Sequence, residues 1–284
     1  MPVTITCLTP ASANYPESLL DLASPPQSLY SIGSIHALSS ACVALVGTRD
    51  PTTYGLRMAW AISAALSRAG VCVVSGMARG IDAECHRAML AEGGNTVAVL
   101  GTGVDVAYPA AHRELHRLIG EKGLVLSENP PGARAHRGAF PRRNRIIAAL
   151  AKLTIVVEAG HRSGALNTAT QALELGRVVA AVPGPIDSPQ SEGTNQLIRD
   201  GACVIASIGD ALTLAGVSAP PRSPPAQLAG DDARVWSALD QGPLMVDDLA
   251  TRAGMPAREC LTAVTSLELM GMVECLVTGA VRRR

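Results

Sequence analysis

The sequence predicts an α/β protein: a Rossmann-like, doubly wound, mainly parallel sheet followed by a small C-terminal winged-helix-like domain. Three observations carry this. Between Val43 and about Leu214, short β-rich runs alternate with helical patterns. The runs are continuously apolar rather than alternating, as strands covered on both faces are. Beyond a proline-rich break, three further helical patterns end in a late hairpin.

Taken in order, residues 1–42 carry turn signals at Tyr15-Pro16 and Pro25-Pro26 and are too short for a core of their own. They are expected to form an N-terminal extension that packs on the main domain. In residues 43–214 the strands are "VALVG" (43–47), "VCVVSG" (71–76), "TVAVLG" (96–101), "LVLSE" (124–128), "LTIVVEA" (153–159) and "RVVAAVPG" (177–184). Stretches such as "LRMAWAISAALSRAG" and "ALNTATQALELG" read as crossover helices, each closed by a glycine that can cap its end. Residues 215–230, with four prolines in "APPRSPP", read as a semi-rigid linker. Residues 231–284 supply "ARVWSALDQG", "MVDDLATRAGM" and "ARECLTAVTSLELMGM", then two β-like runs around Thr278-Gly279.

Composition narrows the function. The 24 basic and 24 acidic residues cancel, so any field for nucleic acid must be local. The seven cysteines are widely spaced and mostly set in apolar runs, which suits reduced thiols, and no metal site is expected. No apolar run approaches a membrane span and no basic-then-apolar leader opens the chain, so no membrane partner is expected and the cytoplasm is the expected compartment. A Walker loop and a G-x-S-x-G elbow are both missing, and "GTGVD" (101–105) lacks the third glycine of a dinucleotide fingerprint. No cofactor is expected. His86 reads as a packed helix residue, while Asp82, Glu128 and Glu158 stand near strand ends, where each can act as a general base or hold a loop arginine.

Ligands of open parallel sheets bind beyond the carboxyl ends of the strands. Three loops there carry anion-binding chemistry: "GTRDPTTYG" with Gly47, Thr48 and Arg49; "SGMARGID" with Ser75, Gly76, Arg79 and Gly80; and "EAGHRSGALNTA", where Ser163 and Gly164 stand at a helix start. For any one loop alone, tight turns and caps are the simpler account. The most basic stretch runs from Pro131 to Arg145, with Arg134, Arg137, Arg142, Arg143 and Arg145 and no acid. It precedes the apolar run Ile146, Ile147 and Leu150, and positive side chains at a helix start are disfavoured unless an anion is present. One or two of these arginines, Arg145 first, are expected to bridge to Glu128 or Glu158 instead. Phe140, the only phenylalanine, can stack on an unpaired base or plug the helix start.

In order and spacing, "YPESLLDLASPPQSLYSIG", "VGTR", "SGMARGID", "SENPPG", "FPRRNRIIAAL", "VVEAGHRSGALNTATQALELGR" and "VPGPIDSPQSEGTNQLIRDGA" resemble the bacterial DNA-processing protein A family, also called Smf. The resemblance covers about residues 15–214. It implies a DNA-binding protein rather than an enzyme. Its members bind single-stranded DNA taken up in natural transformation, protect it and help load the RecA recombinase, usually as homodimers. By motif, the implied DNA contacts are Arg49, the "SGMARG" loop and the "FPRRNR" segment with Asn144. Some members carry an N-terminal helical module, which this sequence, starting almost directly at "YP", is expected to lack. A competing reading is a nucleotide-binding phosphoribohydrolase-like enzyme, since a related Rossmann-like group cleaves nucleoside monophosphates. That group carries a "PGGxGT" loop, whereas "AGHRSGALNT" has no double glycine. A small nucleotide can still be accommodated there.

The C-terminal unit has eight acidic against six basic residues, and its third helix, around Arg258 to Leu269, carries a single arginine. A winged helix commonly sets that helix in the major groove. Its charge argues for another use here.

Overall fold

The computed structural model describes residues 4–136, 138–218, 228–240, 243–276 and 279–283. Arg137, most of the linker, Thr278 and Arg284 lie outside the described residues. The chain divides into two compact units, Met1–Ala219 and Pro220–Arg284.

In the first unit the strands are β1 (Thr6–Leu8), β2 (Leu29–Gly33), β3 (Cys42–Val46), β4 (Cys72–Ser75), β5 (Thr96–Leu100), β6 (Leu124–Ser127), β7 (Leu153–Val156), β8 (Val178–Ala181) and β9 (Cys203–Val204). The helices are α1 (Thr53–Arg68), α2 (Ile81–Ala91), α3 (Arg113–Lys122), α4 (Ala139–Leu150), α5 (Gly164–Glu174), α6 (Glu192–Arg199) and α7 (Ile208–Leu214). Among the described residues these strands form one sheet in the order β1-β2-β6-β5-β4-β3-β7-β8-β9. From β6 to β9 every neighbouring pair is parallel. The pairs β1–β2 and β2–β6 are antiparallel. The N-terminal segment therefore does more than pack on the domain. It lengthens the sheet by two strands, which the short runs "TCL" and "LYSIG" did not signal.

The continuous apolar strands are explained by covers on both faces. Along β3, Val43 and Leu45 join one core with Ile62 and Leu66 of α1 and Met89 of α2, while Ala44 and Val46 join another with Ile146 and Leu150 of α4 and Ala169 of α5. A third cluster sets Ile119 of α3 against Ala98, Leu100 and Val125. Outward from β3, the order turns one way through β4, β5 and β6 and the other way through β7, β8 and β9. The point of reversal lies between β3 and β7.

The second unit contains α8 (Gly230–Ala238), β10 (Leu244–Met245), α9 (Val246–Ala253), α10 (Ala257–Leu269), β11 (Val273–Cys275) and β12 (Ala280–Arg283). Its strands pair antiparallel in the order β10-β12-β11 among the described residues, and its helices close over Trp236, Leu249, Val264 and Leu267. This is a winged helix, with one short strand, β10, added to the expected hairpin.

Candidate nucleic-acid interface

At the reversal point the loops leaving neighbouring strands turn to opposite faces and open a crevice between them. Here the loops after β3 and β7, with the first turns of α4 and α5, line a cleft of about 600 Å³. A second cleft of about 320 Å³ lies beside it, against the loops after β4 and β5. Both are lined by Arg49, Ala78, Phe140 and Arg143, so they are two lobes of one trough.

The loops are tied to one another through their backbones. Thr48 N donates to the Glu158 carbonyl at 2.7 Å, and Ile81 N donates to the Thr48 carbonyl at 3.2 Å. That second bond requires the chain to turn at Gly80, whose φ is +80° and where a Cβ would fall 2.4 Å from the Thr48 oxygen. Glu158 is buried, and its two carboxylate oxygens accept from Thr52 N at 2.8 Å and Thr52 Oγ1 at 2.6 Å. Thr52 in turn caps α1 by accepting from Gly55 N. Glu158 thus holds the start of a helix. Met77, buried and at the positive φ of 54°, has its carbonyl bonded by His112 Nδ1 at 3.0 Å. A left-handed non-glycine residue at this place is backbone strain of the kind that concentrates at binding sites.

Beneath the trough lie two buried charged side chains, Arg143 and Asp82, each bonded to backbone groups. Arg143, 6% exposed, donates from Nη1 to the Gly76 carbonyl at 2.6 Å and to the Val99 carbonyl. Its Nε has no partner among the described residues. Burial pushes its pKa down to about 10, while Asp82 pulls it up and Arg49 pushes it further down, so it stays cationic at neutral pH. Asp82 accepts from Gly76 N at 3.2 Å and Ala78 N at 3.4 Å. Burial raises its carboxyl pKa, and Arg143 and these backbone donors pull it back.

Above that floor Phe140 is half-buried, with the Tyr108 ring 5.2 Å away at 35° and the Arg49 guanidinium 5.3 Å from its centroid. The group offers ring faces beside a cation, the pairing that holds unstacked bases. At the other lobe, Ser163 caps α5 by accepting from Ala165 N at 3.3 Å, and a Cβ on Gly164 would meet nothing within 4 Å. The helix start therefore opens to the cleft, and neither α4 nor α5 has an acid in its first turn. Asn144 ties the two helices together, donating to the Gly164 carbonyl and to Asn167 Oδ1, both at 3.2 Å.

The sequence-derived residues separate into distinct groups. Gly47, Thr48, Arg49, Gly76, Arg79, Phe140, Asn144, Ser163 and Gly164 line the trough. The others stand elsewhere, and of these only the bridging of Arg145 to Glu128 was expected. Arg143 forms the floor, because α4 begins at Ala139 and carries "PRRNR" inside its first turns instead of ahead of them. Arg142 and Arg145 both reach Glu128, the former at 3.0 Å, and Arg145 also donates to the Ser24 carbonyl at 2.7 Å. They border a different depression with residues 23–28. Ser75 is fully buried and spends its hydroxyl on the Leu45 carbonyl, and Gly80 serves the turn. Arg134 is exposed but does not line the trough, and Arg137 lies outside the described residues.

Tyr108, whose ring stands 5.2 Å from that of Phe140, and two residues of the larger cleft went unnamed. Arg162 and His161 are exposed and line the larger cleft beside Ser163. The signal was present in "HRSG", a cation directly before a helix cap. Among the described residues Arg49, Arg79, Arg134 and Arg162 form no ion pair, whereas Arg68, Arg87, Arg117 and Arg177 each do.

Comparison with known proteins follows the same line. A family described as DNA recombination-mediator protein A matches residues 6–216, and one described as the DprA winged helix domain matches residues 219–277. The chain is 42% identical over 198 residues to the DNA processing protein DprA of Streptococcus pneumoniae, covering 70% of each. It is 38% identical over 289 residues to the protein Smf of Escherichia coli, covering 98% of this chain and 77% of that protein. The X-ray structure of the Streptococcus pneumoniae protein superposes with a TM-score of 0.71 at 40% identity, covering 74% of each chain. A solved structure of Helicobacter pylori DNA processing protein A, described for its single-stranded DNA binding mode, gives 0.68 at 28% identity, covering 73% of this chain and 94% of that one.

Proposed function

Because the chain belongs to the DNA recombination-mediator protein A family, we propose that its trough holds single-stranded DNA, and that the protein protects that strand and hands it to the RecA recombinase. The observation that carries the proposal is the trough itself: Arg49, Arg79 and Arg162, without an ion pair among the described residues, around the Phe140 and Tyr108 rings, at the open start of α5. Phosphates bind such cations and helix termini whatever the sequence, and bases stack on the rings. A duplex presents no free ring faces, so the arrangement favours single strands. The single-stranded DNA binding of the Helicobacter pylori relative supports the same reading.

We read the protein as a binder and not as an enzyme, on the ground that Glu158 is committed to Thr52 and Asp82 to backbone N–H groups. Action as a homodimer in the cytoplasm, in recombination or natural transformation, rests on the family resemblance. The test is a titration of the full chain with a labelled single-stranded oligonucleotide and with its duplex, across a salt series. Tighter binding of the single strand, with log affinity falling linearly against log salt, is the expected result. Equal affinity for both, or affinity insensitive to salt, overturns the proposal.

A further inference from the structure

Cys42 and Cys72 are register partners on the adjacent parallel strands β3 and β4. Partnered residues of a ladder project on one face of the sheet. Both thiols accordingly enter the same core, Cys72 fully buried within it and Cys42 half-buried against it. Neighbouring strands run about 4.8 Å apart, which is inside the Cα separation of about 4.4–6.8 Å over which a disulfide closes. Residue 42 opens its strand, and the ladder bond it accepts from Lys152 N is long, at 3.4 Å.

Access comes from the amino ends of the strands, the opposite end of the sheet from the trough. Cys42 borders a depression of about 480 Å³ whose walls include Tyr15, His36 and Leu150. The two thiols are also unequal. The Cys42 thiol donates to the Ser40 carbonyl at 3.4 Å. Its side-chain interaction with Cys72 holds it below its ordinary range, whereas that interaction and burial raise the Cys72 thiol. The accessible sulfur is therefore the more readily ionised one, as an attacking thiol must be.

We propose that Cys42 and Cys72 are a redox-active dithiol that hydroperoxides oxidise to a disulfide across β3 and β4. The Cys42 thiolate attacks one peroxide oxygen; the O–O bond breaks, giving a sulfenic acid and a hydroxide that leaves as water with the proton Cys42 released. The Cys72 sulfur then attacks the sulfenic sulfur; the S–S bond forms, the S–O bond breaks, and the Cys72 proton leaves with the hydroxyl as a second water. One hydrogen peroxide is reduced to two waters, and the two thiols together lose two hydrogens. The bond tethers the starts of the strands whose far ends carry Arg49 and Gly76.

The experiment treats the full chain with hydrogen peroxide in slight molar excess, blocks remaining thiols by alkylation without reduction, and maps the digest by mass spectrometry. The expected product is a joined Cys42–Cys72 peptide that dithiothreitol separates. In Cys72→Ser the joined peptide disappears and dimedone labels Cys42. The exposed Cys7 and Cys275 serve as controls, because their register partners are Tyr30 and Val281 and no thiol faces them. Alkylation of both Cys42 and Cys72 at a peroxide dose that oxidises Cys7 or Cys275 overturns the proposal, as does a joined peptide linking Cys42 to any other cysteine. The decisive reading is made on the unaltered chain, so it does not depend on how a variant folds.

Discussion

The guanidinium of Arg143 occupies the space that a side chain at residue 76 would need. Its Nη1 donates to the Gly76 carbonyl at 2.6 Å, and a Cβ on Gly76 would fall 2.1 Å from that nitrogen. The glycine and the arginine are thus one feature of the trough floor, fixed by α4 on one side and the end of β4 on the other. Removing the cation takes the donor from the Gly76 and Val99 carbonyls in the core and removes the positive charge that favours ionised Asp82. Arg143→Ala is expected to cost at least about 2 kcal/mol of stability in urea denaturation, since two buried carbonyls lose their donor. The exposed Arg142→Ala is expected to cost less than about 1 kcal/mol. Equal small effects would mean that Arg143 is not a structural cation.

Binding is expected to follow the unpaired arginines. Arg49→Ala and Arg162→Ala should each weaken single-strand affinity and flatten the log–log salt slope by about 0.7 for every phosphate that the missing guanidinium no longer neutralises. Arg145→Ala, whose guanidinium is held by Glu128 and the Ser24 carbonyl, should leave that slope unchanged. Salt titrations of the three variants decide it, and the reverse ranking would return the phosphate groove to the α4 arginines.

Phe140 separates stacking from plugging. Its ring sits between Tyr108 and Arg49 and lines both lobes of the trough. Phe140→Leu keeps most of the apolar volume and removes the π-face, so single-strand affinity should fall by roughly 1–3 kcal/mol at nearly constant melting temperature. A variant with a lowered melting temperature and full affinity would identify the ring as a plug.

How far the sequence could be read differs between the scaffold and the site. Continuous, mostly apolar runs such as "TVAVL" and "LTIV" are visible because burial on both faces leaves few polar positions, and they delimited six of the seven parallel strands to within a few residues, the two-residue β9 being missed. β1 and β2 escaped because an antiparallel edge is built of short mixed segments whose pairing depends on distant residues. At the site, loop glycines and Arg49 were legible from their position after strands. The fate of each α4 arginine was not, since it depends on where the helix begins and on which carboxylate the fold brings near. Glu128 stands 14 residues before Arg142, and only the fold, which brings the loop after β6 to the first turns of α4, turns that separation into an ion pair.

Acid should destabilise the protein through His86. The side chain is fully buried, its Nδ1 lies 2.7 Å from Thr96 Oγ1, and its Nε2 has no partner among the described residues. Burial, with Arg143 adding to it, pushes its pKa down to about 3. Between about pH 6.5 and 3 the unfolded chain binds a proton here that the folded chain refuses. This contribution is fully present above about pH 6.5 and is lost as pH falls, by about 2 kcal/mol at pH 5. Asp82, whose carboxyl is raised, contributes in the opposite sense, stabilising at low pH and fading as pH rises through its folded value. Comparing His86→Leu with the unaltered chain isolates the histidine: stability of the variant should change less between pH 7 and 5 in urea titrations. Parallel pH profiles would count against the assignment.

The winged helix should add little to the binding of single strands. Its arginines are largely spent within the unit: Arg234 on Asp231 and the Gly254 carbonyl, Arg282 on Glu274, and Arg283 on Asp240 and the Trp236 carbonyl, with its guanidinium over the Trp236 ring. The outer face of α10 offers Leu261, Thr262, Thr265 and Leu269, all exposed, with Arg258 as the only cation on that helix. A phosphate backbone finds little positive charge there to neutralise. A chain ending at Ser218 retains the core of the first unit, including Val217 packed against Leu212 and its neighbours, so the truncation should fold. Its affinity for a single-stranded oligonucleotide at near-physiological salt should lie within about tenfold of the full chain, equivalent to about 1.4 kcal/mol. The opposing account makes the winged helix an independent duplex reader whose tether raises affinity through effective concentration. A larger loss on truncation, or sub-micromolar duplex binding by residues 228–284 alone, would favour that account and assign α10 to the major groove.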